Sequence, residues 1–355
     1  CIHGPFYRIF LDPGPSRYED QKHQNMKYFI TGATGFIGSN LALTLAEKGH
    51  QVKALVRDKA RAARLKHDHI ELVYGSLDNK NILEEAMDGV DGVFHLAAYA
   101  KPWAKDPTLY NKINLVGTHH VVEAAKAKQV NKIVFTSTAG TIGPSSEAPL
   151  NENSLRGFDF FNEYESTKFM AEKYLKDYVL QGMNICIVHP SRVYGPGLLS
   201  KSNAVTVMVR DFLRGRWRII PGNGKRVGNY VYIDDVVEGH IAAMEKGKPG
   251  EQYILGGENV SYLTFFTTIR SLSGKSFRLI KVPVGLLIAI SFLQMQLARM
   301  VNRPPLIPPK WVKKYLYDWA LDSRKAQEEL DYKITPINTG LLHTIHWLEN
   351  HENHG

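Results

Sequence analysis

A short apolar run that passes through three glycines straight into a helix constrains this chain more than any other feature. The stretch is Lys27 to Glu47, KYFITGATGFIGSNLALTLAE. Tyr28 to Thr31 reads as a buried strand, and Ile37, Leu41 and Leu45 recur at helical spacing, so Gly32, Gly35 and Gly38 fall on the strand-to-helix turn. Gly32 lets the chain turn sharply, Gly35 lets a pyrophosphate approach the backbone, and Gly38 lets the helix lie close on the strand. Free N–H groups and the helix dipole then face the phosphates, which nominates Gly32, Thr34, Gly35, Phe36, Ile37 and Gly38 as cofactor-binding residues. A glycine triplet alone recurs by chance. Flanked by a strand and an amphipathic helix it points to a dinucleotide fold, and the competing reading is a plain tight turn.

At 355 residues the chain has room for one large α/β domain or a domain with an unequal second lobe, and 44% hydrophobic residues suit a globular protein. The net charge of +9 favours an anionic ligand or surface, with the positive charges read as spread along the chain and not gathered in one block. Cys1 and Cys186 cannot build a disulfide framework, so a reducing, cytoplasmic setting is expected. Residues 1–25 lack periodicity and a secretory pattern; they read as a loose N-terminal tail, with Met26 as the start. The longest apolar run, Val282 to Leu293, contains Pro283 and is too short for a stable membrane span. It reads as a helix that packs on the core or lines the substrate pocket, with contact to a membrane surface as the alternative.

Gln51 to Val56 alternates like a strand and ends at Arg57, 19 residues beyond Gly38. An acidic residue at this place would hold the adenosine ribose hydroxyls, whereas an arginine pairs with a 2′-phosphate. Arg57 therefore favours NADP, and the adjacent Asp58 keeps NAD as the alternative. Further strands are expected at Ile70–Tyr74, Gly92–Leu96, Asn131–Ser137 and Asn184–His189, separated by helices such as Asn111–Ala127 and Tyr164–Leu180. This alternation predicts an α/β fold: a doubly wound, mostly parallel Rossmann sheet that binds its ligand at the carboxyl ends of the strands. The segments placed there are Gly75–Asp78, His95–Ala98, Thr136–Thr138 and His189–Arg192. From Val193 the pattern gives way to Gly- and Pro-rich connections, then a strand at Asn229–Ile233, a helix at Asp234–Lys246 and a strand at Glu251–Leu255. Residues 26–192 with 229–240 are thus assigned to the NAD(P)-binding domain. Residues 193–228 and 241–349, broken by RPPLIPP at 303–309, form a smaller C-terminal substrate lobe.

The sequence YESTK puts Tyr164 and Lys168 one helical turn apart on one face, in the segment that follows the strand ending in FTST. Tyrosine is a poor acid–base catalyst at its ordinary pKa near 10, but a neighbouring ammonium stabilises the phenolate.

Together, TGATGFIG, HLAA at 95–98, NLVGT at 114–118, FTSTAG at 135–140, YESTK and HPSRVYGPG at 189–197 resemble the extended short-chain dehydrogenase/reductase (NAD-dependent epimerase/dehydratase) family over Met26 to Trp347. VKALVRD at 52–58 and GEQYILGGEN at 250–259 bring the chain nearest the dihydroflavonol reductase-like branch, with relatives among 3β-hydroxysteroid dehydrogenases and hopanoid-associated sugar epimerases. The resemblance implies that Tyr164 is the general acid toward a carbonyl oxygen, that Lys168 lowers its pKa and bonds the nicotinamide ribose, and that Thr138 holds the substrate oxygen. It places Asn114 near the active site with the catalytic residues, Pro190 and Ser191 beside the nicotinamide, and Ala97 and Ala98 where the cofactor needs room. Ser76 and Leu77 fall at the adenine, and Asp234 and Asp235 match a structural acidic pair.

Two departures narrow the expectation. Ser76 stands where many relatives carry an adenine-binding Asp, and Gly228 stands where sugar-nucleotide enzymes place an arginine for the diphosphate, with Arg226 as a nearby substitute. The expected function is an NADPH-dependent reductase of an aldehyde or ketone. The alternatives are an NAD-dependent epimerase or dehydratase of an activated sugar, and a non-catalytic NADP-binding sensor. The partner is a small-molecule carbonyl or alcohol. The basic run Arg214, Arg216, Trp217 and Arg218 has no nucleic-acid fold signature around it, and the histidines, among them His67, His69, His119, His120, His346, His351 and His354, lack a companion set of metal ligands. The helix Tyr164–Leu180 often forms a dimer face in the family, which leaves a homodimer open.

Overall fold

The computed structural model describes residues 25–101, 103–200, 203–300 and 308–352. The tail expected at 1–25, apart from its last residue, lies outside the described residues, as do 303–307 of RPPLIPP and His354. Six strands alternate with helices in the first half: β1 (Lys27–Thr31), β2 (Gln51–Val56), β3 (Ile70–Tyr74), β4 (Gly92–His95), β5 (Lys132–Thr136) and β6 (Ile185–Pro190). The second half adds β7 (Arg192–Tyr194), β8 (Ile219–Pro221), β9 (Val227–Tyr232), β10 (Gln252–Leu255), β11 (Glu258–Ser261) and β12 (Ile280–Val282).

The main sheet has the order β10-β6-β5-β4-β1-β2-β3, and all of its pairs are parallel. Parallel strands covered on both faces need apolar residues pointing both ways. Phe29 of β1 accordingly packs with Val121, Ala171 and Leu175 from the helices Gly117–Ala127 and Glu163–Leu180. Its neighbour Ile30 points to the opposite side, with Leu41 of the helix Phe36–Glu47 and Val236 of the helix Ile233–Lys246. The chain builds outward from β1 to β3 and then returns to place β4 on the other side of β1. This reversal opens a crevice at the carboxyl ends of β1 and β4, where Thr31 and His95 are in register.

Two differences from the expected pattern bear on the site. The strand at 252–255, expected in the substrate lobe, hydrogen-bonds to β6 and forms an edge of the main sheet. The helix expected over Asn111–Ala127 is interrupted: Thr108–Asn111 leads into a π-helical turn at Lys112–Val116 before the α-helix Gly117–Ala127. Such turns insert one residue into the helical ladder and often accompany functional sites. Here the turn carries Asn114. Beside the main sheet, β11-β9-β7 form a small sheet in which Arg192 of β7 is in register with Tyr230 of β9. Among the described residues no helix is long and apolar enough to cross a membrane.

Candidate active site

The glycine turn forms as the sequence requires. Gly32 has φ +76°, a conformation that L side chains rarely adopt, and a Cβ on it would stand 2.6 Å from the Ala97 nitrogen. A Cβ on Gly38 would stand 2.3 Å from the Gly32 carbonyl oxygen, so only glycine lets the helix seat on the strand. Gly35 begins the helix Phe36–Glu47 without a side-chain cap, and no acidic residue occupies the first turn. The N–H end of that helix is therefore suited to an anion. Thr34 and Ile37 line the same turn, half-buried, and Ala97 and Ala98 face it from the end of β4.

Asn162 starts the helix Glu163–Leu180 by accepting the Glu165 N–H at 2.9 Å, and its own amide donates to the Glu165 carboxylate at 3.2 Å. This reciprocal cap fixes the first turn, on which Tyr164 is half-buried. Burial raises the Tyr164 phenol above its ordinary pKa; a hydrogen bond with the Thr138 hydroxyl opposes the rise, and the Glu165 and Glu172 carboxylates add to it. Thr138 itself caps a short turn by accepting the Gly140 N–H at 3.1 Å. The segment after it is clamped by Arg156, which donates to the Gly140 carbonyl at 2.6 Å and to the Thr141 carbonyl at 3.1 Å.

Lys168 lies one turn beyond Tyr164, fully buried, with Nζ 3.7 Å from the centre of the Phe135 ring and no hydrogen-bond partner. Burial lowers its pKa to about 7, with Glu172 pulling it back up. Desolvation is the largest influence on both groups in the protein alone, raising the Tyr164 phenol and lowering the Lys168 ammonium.

Asn114 is completely buried, and its side chain is fully engaged. Its Oδ1 accepts the Tyr99 N–H at 2.6 Å, and its Nδ2 donates to Thr167 Oγ1 at 3.0 Å. It ties the loop after β4 to the catalytic helix, so its geometry is that of a positioning residue.

Behind Lys168 runs a chain that the sequence reading missed. Thr31 Oγ1 accepts the Ala97 N–H at 3.2 Å and lies 2.6 Å from His95 Nδ1; His95 Nε2 lies 3.0 Å from Thr118 Oγ1, which donates to the Asn114 carbonyl at 2.7 Å. These partners require a neutral His95 with its proton on Nε2. Burial and the Lys168 charge lower the His95 pKa to about 3, consistent with that state. A second buried group joins Glu172 to Ser137 and brings it within 3.8 Å of His189 Nδ1, which also approaches the Thr138 carbonyl at 3.2 Å. The spacing of Glu172, one turn past Lys168, was the available signal.

At the far end of the crevice Arg57 and Asp58 are exposed. The Asp58 carboxylate accepts the Ala60 N–H at 2.8 Å and faces Arg61 at 3.9 Å, whereas no carboxylate pairs with Arg57 among the described residues. Ser76 donates to Asp78, which also pairs with Lys112 at 3.7 Å, and Leu77 packs against Gly117. Pro190 is buried at the end of β6, and the Ser191 hydroxyl is buried without a partner.

On the substrate side the expected substitute Arg226 does not face the site; it pairs with Asp318 at 2.8 Å near the surface. Arg192 lies beside Gly228. Its Nη1 would stand 2.1 Å from a Cβ on Gly228, and its guanidinium lies over the Tyr230 and Tyr262 rings, 5.5 and 5.1 Å from their centres. Gly228 is therefore the space that Arg192 fills. Phe161, Tyr317 and Trp319 form an aromatic cluster next to the first turn of the catalytic helix. The unpaired Lys168 Nζ and Ser191 Oγ, with the uncapped glycine turn, fit a dinucleotide laid across the carboxyl ends of the strands.

Residues 28–256 match the NAD dependent epimerase/dehydratase family. A putative dihydroflavonol 4-reductase from Synechocystis sp. is 31% identical over 330 residues, covering 91% of this chain and 95% of the relative. The crystal structure of gox2253 superposes with a TM-score of 0.77 at 31% identity, covering 92% of this chain and 99% of that one. A UDP-glucose 4-epimerase from Thermotoga maritima, at 24% identity and a TM-score of 0.76, covers 92% and 100% and shows the shared fold. The chain thus belongs to the NAD dependent epimerase/dehydratase family of extended short-chain dehydrogenases/reductases, NAD(P)-dependent enzymes acting on CH–OH or carbonyl groups.

Proposed function

We propose that this enzyme is an NADPH-dependent reductase of an aldehyde or ketone carried on an apolar body. The observation that supports this most is the pairing of the Tyr164 phenol with the Thr138 hydroxyl, one turn from an unpartnered Lys168. When bound, the nicotinamide would supply from its C4 the hydride that reduces the carbonyl carbon. Tyr164, kept protonated by its raised pKa, donates its proton to the carbonyl oxygen, and the Thr138 hydroxyl orients that oxygen. Lys168, given oxygen partners on the nicotinamide ribose, holds its charge and stabilises the phenolate left on Tyr164. In this reading Gly32, Thr34, Gly35, Phe36, Ile37 and Gly38 hold the pyrophosphate, Ala97, Ala98, Pro190 and Ser191 border the nicotinamide, and Ser76 and Leu77 border the adenine. Arg57, exposed and free of carboxylates, supports NADP over NAD, because Asp58 is already occupied as a cap. The aromatic cluster Phe161, Tyr317 and Trp319 supports an apolar substrate body.

A second reading, an epimerase or dehydratase of an activated sugar, gains from Arg192, whose guanidinium fills the space that Gly228 leaves. Purified protein mixed with NADPH and a panel of aldehydes and ketones separates the two. Loss of nicotinamide absorbance that vanishes in Tyr164→Phe is expected. Full activity in Tyr164→Phe overturns the mechanism, and purified protein that retains NAD and interconverts a UDP-sugar establishes the second reading.

A further inference from the structure

From Asn259 to Tyr317 the chain has nine Lys or Arg residues and no Asp or Glu, so the remaining 35 basic residues equal the 35 acidic ones. The excess of +9 thus equals the excess of this acid-free segment, while the basic residues themselves stay spread along the chain as expected, and Lys310 and Lys314 of the segment pair with Glu163 and Glu165. The same segment contains the helix Val284–Met300, VGLLIAISFLQMQLARM. Leu286, Ile290, Leu293, Leu297 and Met300 recur every three or four residues and are 44–82% exposed, so they form one outward face, with Phe292 beside it at 57%. Ser291 and Ala298 on the inner side are buried, and the helix packs on the turns Pro309–Val312 and Lys313–Leu316. Ile280 and Ile219, exposed and in register across β12 and β8, lie on the strands next to it in sequence and space.

Single exposed apolar residues are ordinary, but a contiguous face of this kind marks an interaction site. Charge selects the occupant. Exposed Arg216, Arg218, Arg278 and Lys281 lie on or beside the two strands that lead to the helix. A second copy of the chain would bring two such basic surfaces together. A nucleic acid would satisfy the charges and leave Leu, Ile and Phe uncovered. At 17 residues the helix is about 25 Å long, short of the hydrocarbon thickness of a bilayer but suited to lying in its interface.

We propose that the helix Val284–Met300 docks this enzyme onto an anionic lipid surface, with Leu286, Ile290, Leu293 and Leu297 in the acyl boundary and the neighbouring Arg and Lys side chains against the headgroups. The inference does not depend on the reductase reading. Its test is sedimentation of the full chain with phosphatidylcholine vesicles, with and without phosphatidylglycerol. Binding to the anionic vesicles is expected, weaker by about tenfold or more in high salt or on neutral vesicles. Leu293→Glu, at an exposed position, is expected to abolish pelleting while the melting temperature is unchanged; Arg278→Glu with Lys281→Glu is expected to weaken binding to anionic vesicles alone. Absence of pelleting with anionic vesicles, or pelleting indifferent to all of these substitutions, overturns the proposal. So does a lipid-independent dimer that Leu293→Glu dissociates, because a second copy would then cover the face.

Discussion

Lys168→Met tests whether the Lys168 ammonium is as isolated in the protein alone as the structure shows. Methionine keeps the unbranched stem and the volume but removes the charge. Burial takes the Lys168 pKa from 10.5 to about 7, and at about 1.4 kcal/mol per unit the buried ammonium costs about 5 kcal/mol when it is protonated in both states. The sign follows from proton counting. Between the folded value of about 7 and the unfolded 10.5 the unfolded chain holds the proton and the folded one does not, so the Lys168 contribution to stability rises with pH across that window. Below about 7 the full penalty applies and the contribution is flat. Urea unfolding of wild type and Lys168→Met in parallel, without nucleotide, isolates this group because the other titrations cancel in the difference. The variant is expected to be the more stable of the two at neutral pH. Its advantage should shrink by about 2 kcal/mol from about pH 7 to about pH 9. Saturating NADP should reverse the order, since ligand binding to the folded state stabilises the protein that binds it better. A difference that does not vary with pH would refute the reasoning, because it would mean that Lys168 is solvated or paired.

Gly38→Ala forces a Cβ to 2.3 Å from the Gly32 carbonyl, a backbone atom that cannot move aside, and should lower stability by about 1–3 kcal/mol in urea and weaken NADPH binding. Arg57→Ala should raise the NADPH dissociation constant by about 10–100-fold in fluorescence titration and leave NADH unchanged; equal losses for both would reassign the residue. Arg192→Met should raise KM with kcat largely kept, whereas Arg226→Met, which breaks only the pair with Asp318, should leave both unchanged. Thr31→Val strands the Ala97 N–H and His95 Nδ1 together and should cost about 1–3 kcal/mol per stranded group in urea unfolding; an unaffected midpoint would show that the chain behind Lys168 carries no energy.

The nucleotide-binding half was legible because its signals are local. Strand, glycine turn and helix follow one another in 21 residues from Lys27 to Glu47, and the strand ranges expected at Gln51–Val56 and Ile70–Tyr74 match the structure. What the sequence hid was contact between distant segments. Arg192 is close in sequence to Ser191 and far from Gly228, so its occupation of the Gly228 space needed the parallel pairing of β7 with β9. Arg226 was nearer in sequence but is drawn off by Asp318, 92 residues away. The role of Asn114 was hidden by the π-helical turn, because a uniform helix from 111 to 127 would aim its side chain differently. The burial of Tyr164 and Lys168 was hidden for another reason. Helical spacing puts two groups on one face, but it does not report how dry that face is.

Dryness also explains why the neutral form of His95 matters. Its ring joins the end of the strand that turns into the phosphate cradle to the π-helical turn that holds the catalytic helix. Each link uses one donor and one acceptor: Ala97 N–H to Thr31, Thr31 to Nδ1, Nε2–H to Thr118, and Thr118 to the Asn114 carbonyl. A second proton on the ring would set Nδ1–H against the Thr31 hydroxyl, which already accepts from Ala97 and would have to release its own hydrogen into an apolar interior. The Lys168 charge and burial both oppose that second proton. The direction of the chain is thus set by the Thr118 donation to the Asn114 carbonyl and kept by burial of the ring, with the Lys168 charge as the second influence. Substitution of Lys168 removes only the smaller of the two influences, so the ring is expected to stay neutral and the cradle to keep its register with the helix Glu163–Leu180.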